Sequence, residues 1–160
     1  MAQLERSALA HFVDATPNSP TTWYRIGKDV ESMSVELSTE VETKKNILDE
    51  TSVKIKSYEP SMGVDTYYAN PDDSIYPLVR DIAMGRKKGD DCKTKVLEVV
   101  IEDTEAASHL AYEEDAVIEV TSYGGEQGGV EIPFTVHFAG NRKKGTASIS
   151  KGVPSFTAEE

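Results

Sequence analysis

Between Met33 and Glu42 the chain alternates apolar and polar residues almost without error: Met33-Ser34-Val35-Glu36-Leu37-Ser38-Thr39-Glu40-Val41-Glu42. A period of two restricts the backbone to an extended strand with one buried face, because successive Cβ atoms of a strand point to opposite sides. The alternation predicts Met33, Val35, Leu37 and Val41 on a core, with Ser34, Glu36, Ser38, Glu40 and Glu42 facing water. All the charge on that wet face is negative. Solvated strands usually mix lysine with glutamate, so a stripe of one sign points to a surface that repels something.

The same period governs much of the rest. It returns at Val53-Lys54-Ile55-Lys56-Ser57-Tyr58 after a break over Lys44–Thr51, which predicts the two arms of a long hairpin. Ala116–Tyr123 and Val130–Phe138 alternate as well, joined by the turn Gly124-Gly125-Glu126-Gln127-Gly128-Gly129. Pro133 cannot donate a ladder hydrogen bond, so it belongs at an edge, a strand start or a bulge. Gly140-Asn141-Arg142 reads as a turn before a last short strand at 145–149, and 151–160 as a tail. Thr94–Glu102 is apolar on both faces except at Glu98 and its ends, the pattern of a strand covered on both sides.

One segment changes period. Ile75, Leu78, Val79 and Ile82 recur at helical spacing and predict a helix at about 73–85. Asp72 or Asp73 would cap it, Pro77 is tolerable in its first turn, Gly85 would close it, and Arg86-Lys87-Lys88 would be solvated at the negative pole of its dipole. Residues 1–28 are expected to be an extended N-terminal arm with at most a short helix, since 1–22 hold no period and end in a Pro-rich stretch, Thr16–Thr22. The expected fold is mainly β: a β-sandwich or barrel with one flanking α-helix, a long hairpin loop and that arm, in one domain over 1–160.

A domain of 160 residues buries roughly 70% of its unfolded surface and folds without metals or disulfides. Twenty-eight acids against 17 bases give a net charge of -11, which argues against gripping nucleic acid or an anionic membrane through a basic surface. The single cysteine, Cys92, excludes an internal disulfide; it reads as a spare thiol in a polar turn and fits a reducing compartment. No apolar run reaches the roughly 18 residues of a membrane span. Met1-Ala2-Gln3-Leu4-Glu5-Arg6 lacks a signal-peptide layout, so synthesis and use in a cytoplasm, or exit from it by a route that needs no signal, are expected.

Catalytic signatures are missing. His11, His109 and His137 belong to no zinc-binding spacing, and Glu102-Asp103-Thr104-Glu105 and Glu113-Glu114-Asp115 lack the spaced oxygens of a calcium loop. No catalytic residue, metal or cofactor is expected. Charge is segregated along the chain: Val96–Val120 holds eight acids and no Lys or Arg, whereas Arg80–Lys95 holds six bases against three acids. Either a monomer carries its charge unevenly, or two complementary patches drive self-association.

Trp23-Tyr24-Arg25-Ile26-Gly27-Lys28-Asp29-Val30, then the alternating strand and Glu42-Thr43-Lys44-Lys45-Asn46-Ile47, resembles the N-terminal signature of major tail tube proteins of long-tailed bacteriophages and related tail-like particles. The Gly124-Gly125 turn, Phe134-Thr135-Val136-His137-Phe138-Ala139-Gly140 and Lys144-Gly145-Thr146 are similar to the C-terminal part of that family. The resemblance spans roughly 20–150. It implies a non-enzymatic virion protein, assembled in the host bacterial cytoplasm as a homo-oligomer of hexameric rings stacked into a tube. Implied partners are a tape-measure protein inside, tail initiator and terminator proteins, and a sheath protein if the tail contracts; DNA passes through without specific binding, and no membrane is involved. Ser34, Glu36, Ser38, Glu40 and Glu42 would then face the lumen. Trp23, Tyr24, Arg25, Lys44, Lys45, Asn46, Ile47 and Leu48 would lie at subunit or ring interfaces, with 43–70 as the inter-ring hairpin loop. Duplex DNA carries a charge about every 1.7 Å, and carboxylates and hydroxyls let it slide where lysines would hold it.

Two other readings stay open. A monomeric immunoglobulin-like or carbohydrate-binding β-sandwich would use an aromatic patch such as Tyr58, Tyr67 and Tyr68. A small metal-dependent hydrolase would use the acidic runs.

Overall fold

The computed structural model describes residues 3–17, 19–28 and 30–159. The strands are β1 (Leu9–Asp14), β2 (Trp23–Arg25), β3 (Val35–Glu36), β4 (Glu40–Lys45), β5 (Thr51–Ser57), β6 (Ser61–Val64), β7 (Lys93–Val100), β8 (His109–Val120), β9 (Phe134–Ser150) and β10 (Val153–Ala158). One α-helix, α1 (Tyr76–Met84), joins β6 to β7, and single turns of 3-10 helix occupy Arg6–Ala8 and Gly89–Cys92. The fold is mainly β with one helix, as the periodicity requires.

Eight strands form one antiparallel sheet in the order β2-β1-β7-β8-β9-β6-β3, with β10 also paired to β9, while β4 and β5 form a separate ribbon. The key element is β9, 17 residues long. One of its edges follows β8 throughout; the other is shared by β6 along its first part and β10 along its last. Between those parts the register against β8 slips, from Ala116↔Phe138 to Asp115↔Gly140 and then Glu113↔Lys143. Gly140 and Asn141 take φ of 101° and 57° there. The expected turn at Gly140-Asn141-Arg142 is thus a bulge: the residues supply positive φ, but pairing to β8 on both sides carries the strand onward.

The sheet buries apolar residues on both faces. One core gathers Val13, Met62, Val64, Val96, Ile118, Phe134 and Val136 under Ile75, Val79 and Ile82 of the helical segment. The other holds Ala10, Phe12, Leu97, Val99, Ala111 and Ala147, closed by Trp23 and Phe156. Adjacent residues Phe12 and Val13, or Val96 and Leu97, feed opposite cores. That is why β7 reads as a continuous apolar run.

Several expectations are corrected. Residues 9–14 are no arm: β1 lies between β2 and β7, with five of its six residues buried. Double-sided burial erases the alternation that would have revealed it. Residues 153–158 are β10 rather than tail. The 33–42 stripe is broken at Ser38, whose φ is 47°; Met33 and Val35 pack on the first core, but Leu37 and Val41 are 50% and 54% exposed. The helix starts at Tyr76 without a side-chain cap, because the Asp73 carboxylate instead accepts the Tyr67 hydroxyl at 3.1 Å. Cys92 is buried in the first core, and burial, reinforced by Asp91, raises its thiol pKa.

Candidate functional site

The expected long hairpin is present and projects. Its base is the β3–β6 pair, and the Glu59 amide donates to the Leu37 carbonyl at 3.0 Å, so the ladder runs on into β4–β5. Six residues of β4 carry the tip roughly 20 Å outward. On one face Val41 opposes Ile55 and Thr43 opposes Val53, all exposed. At the tip Asn46 Oδ1 accepts the Leu48 and Glu50 amides at 2.8 and 3.1 Å, and Asp49 takes a φ of 61°. This fixed turn presents Ile47 and Leu48 at 99% and 72% exposure.

The other hairpin face carries both signs of charge. Glu42 meets Lys44 at 3.1 Å and Lys54 at 3.7 Å, and Glu40 meets Lys56 at 3.9 Å. The stripe is acidic along the chain but compensated across the ladder. Ser34, Glu36 and Ser38 are exposed on the segment leading to the hairpin, and Glu36 has no ion pair among the described residues. Lys44, Lys45, Asn46, Ile47 and Leu48 are gathered at the tip, where Lys45 lies 3.7 Å from Asp49. Trp23, Tyr24 and Arg25 lie apart on β2: Trp23 and Tyr24 pack on opposite cores, and the exposed Arg25 donates to the Ser7 carbonyl at 2.9 Å.

Next to the base of the hairpin lies a polar cluster. Glu98, the lone acid inside β7, accepts His11 Nε2 at 3.0 Å and Arg142 at 2.8 Å. Arg142 also bonds Glu114 at 2.9 Å and stacks 4.3 Å from the Tyr112 ring centre. Glu114 in turn accepts the Gly140 amide at 3.0 Å, pinning the bulge of β9. Burial alone would raise the Glu98 pKa, but hydrogen bonds from His11 and Arg142 outweigh it and hold the carboxyl below its ordinary value. For Arg142 burial lowers the pKa, and the two carboxylates more than restore it. His11 is 2% exposed, and its Nδ1 has no hydrogen-bond partner among the described residues, so Glu98 is the side-chain partner that holds the ring in place. Neither His11 nor Arg142 stood out in the sequence. The available signal was Glu98, a single charge inside a doubly buried strand that required a partner.

Above this cluster opens a cleft of about 530 Å³ whose walls are Val35, Leu37, Tyr58, Pro60 and Phe138 and whose floor is Glu98, Glu114 and Arg142. The acids of the base-free stretch find partners here and nearby: Lys95 lies 3.6 Å from Glu113, and the His137 ring 3.1 Å from Glu119. Tyr67 is 4% exposed and packs edge-on against Phe134 in the first core, so Tyr58, Tyr67 and Tyr68 do not form one exposed patch. Among the described residues no cluster of His, Cys, Asp and Glu is placed to hold a metal. No described helix is long and apolar enough to cross a membrane.

These elements define a mainly β protein of sandwich type with one helix, which presents apolar surface on a projecting hairpin. Its fold is similar to that of the tube-terminating cap of the anti-feeding prophage, seen by electron cryomicroscopy, with a TM-score of 0.53 over 92% of this chain and 93% of that one. Identity is 8%, so the likeness is one of fold. No family model and no curated sequence matches the chain.

Proposed function

We propose that this chain is a structural subunit of a bacteriophage tail or tail-like particle, which assembles into rings around a channel and performs no catalysis. The observation that carries the reading is the fold shared, nearly end to end, with a tube-terminating cap. The exposed apolar residues of the hairpin support it, since a chain that leaves Ile47 and Leu48 in water gains stability by covering them in an assembly. In this reading hexameric rings stack into a tube around a tape-measure protein, with initiator, terminator and, in contractile tails, sheath proteins as neighbours. The particle is a virion tail or its relative, assembled in the bacterial cytoplasm.

The segment Ser34–Glu42 remains our proposal for the channel wall, on altered physics. Lys54 and Lys56 balance Glu42 and Glu40, so the wall would be close to neutral, with Glu36 its unpaired acid. A wall without excess positive charge still gives DNA no counterion-release term to bind it. The fold shared with a terminating cap favours a second reading, in which the ring closes the end of a tube instead of forming its shaft. Negative-stain images of concentrated protein at low and high salt separate the two: long tubes support the shaft, isolated rings the cap, and monomers under every condition contradict both.

A further inference from the structure

The cleft above Arg142 and the tip of the hairpin have complementary chemistry, yet one chain cannot join them. Leu37 and Tyr58, which wall the cleft, flank the base of the same hairpin whose tip stands roughly 20 Å away along the β4–β5 ribbon. We propose that the cleft is the receptor for the Ile47–Leu48 tip of a second copy of this chain, with that copy's Lys45 over Glu98 and Glu114. This inference rests on the reading of the protein as a self-assembling subunit, and it names the contact.

Three observations converge on that occupant. The cleft walls are apolar and partly in water, with Leu37 at 50% and Tyr58 at 54% exposure, and they match a tip whose two foremost side chains are aliphatic. The floor sets two carboxylates, Glu98 and Glu114, against the one guanidinium of Arg142. A tip flanked by Lys44 and Lys45 suits that floor better than an acidic segment would. The present partner of Lys45, Asp49, is 3.7 Å away with both side chains mostly in water, so exchanging it costs little. Asn46 already locks the turn through two amides, so docking orders little new chain.

A tip entering the cleft of the next copy uses two different surfaces. Such a heterologous contact repeats until a ring closes or a filament grows. One pair of surfaces therefore serves both as plug and as socket.

Two full-length variants test this. The plug variant carries Ile47→Asp and Leu48→Asp; the socket variant carries Leu37→Asp and Tyr58→Asp. All four side chains are at least half exposed, so both proteins should keep the wild-type circular dichroism spectrum and melting temperature. Each alone should sediment as a monomer at concentrations where the wild type assembles. Mixed in equal amounts, they hold one intact plug and one intact socket between them, and should sediment as a species of twice the chain mass that grows no further. Adding Lys45→Glu to the socket variant should weaken that pair at least tenfold. A wild type that assembles while the mixture stays monomeric, or a variant that assembles unaided, overturns the contact, assigns the cleft another occupant and leaves the ring reading intact. A wild type that never assembles overturns both.

Discussion

Arg142→Ala tests the physical centre of the fold. Arg142 is the only cation bonded to both Glu98 and Glu114 among the described residues, and those side chains are 14% and 7% exposed. Removing one partner of a fully buried pair costs about 3–5 kcal/mol, because the charge left behind stays desolvated. Arg142 is itself 39% exposed, Glu98 keeps His11 and Glu114 keeps the Gly140 amide, so about 2–3 kcal/mol is the better figure. For a domain of this size that lowers the melting temperature by roughly 4–12 °C. The pH dependence follows from Glu98, whose folded pKa is depressed by His11 and Arg142 against the opposing effect of burial. Such a group contributes stability above its unfolded pKa and loses it as pH falls through the folded value. The gap between wild type and variant should be widest near pH 7 and should narrow as pH falls below the ordinary glutamate value of about 4.3 and on through the lower folded value of Glu98. Urea unfolding at pH 7 and at about pH 2.5 measures it. A loss under about 1 kcal/mol, or one equal at both pH values, would refute the account of the network.

Other outcomes follow from single positions. Gly145→Ala should release β10, because a Cβ there overlaps the Thr157 carbonyl and crowds Phe156; amide exchange at Phe156–Ala158 should accelerate while α1 stays protected. Asn46→Ala should leave the unfolding free energy within about 0.5 kcal/mol of wild type, since the tip is solvated, yet broaden the NMR resonances of Ile47 and Leu48. Glu36→Lys with Glu40→Lys should likewise fold normally, both residues being exposed, and should make assembled particles retain DNA in a salt-dependent pull-down. Cys92 should react with a disulfide reagent only slowly until urea unfolds the chain, because the thiol is buried and its pKa raised.

How much of this was legible depends on what each pattern encodes. Period-two runs gave the hairpin and the strands around the glycine turn, and helical spacing gave α1, because in each the burial of one face dictates residue type directly. β1 was hidden, since Leu9-Ala10-His11-Phe12-Val13-Asp14 is buried on both faces and satisfies its polar members internally: Asp14 accepts the Thr16 amide at 3.0 Å and His11 pairs with Glu98. Charge read along the chain misled, because partners in a sheet come from neighbouring strands. The all-acid stripe meets Lys54 and Lys56 across one ladder, and the base-free stretch meets Lys95 and Arg142 across others. The residues of a bulge and of a turn are the same; only long-range pairing told Gly140 and Asn141 to continue. Ile47 and Leu48 were legible as a hairpin tip, but their exposure becomes meaningful only beside the cleft.

Native mass spectrometry of the full-length protein across rising concentration tests the central claim most directly. A ring-forming tail subunit should give a discrete species at six chain masses, and multiples of it where rings stack. A spectrum that holds only the monomer at every concentration, with the fold intact, would contradict the account.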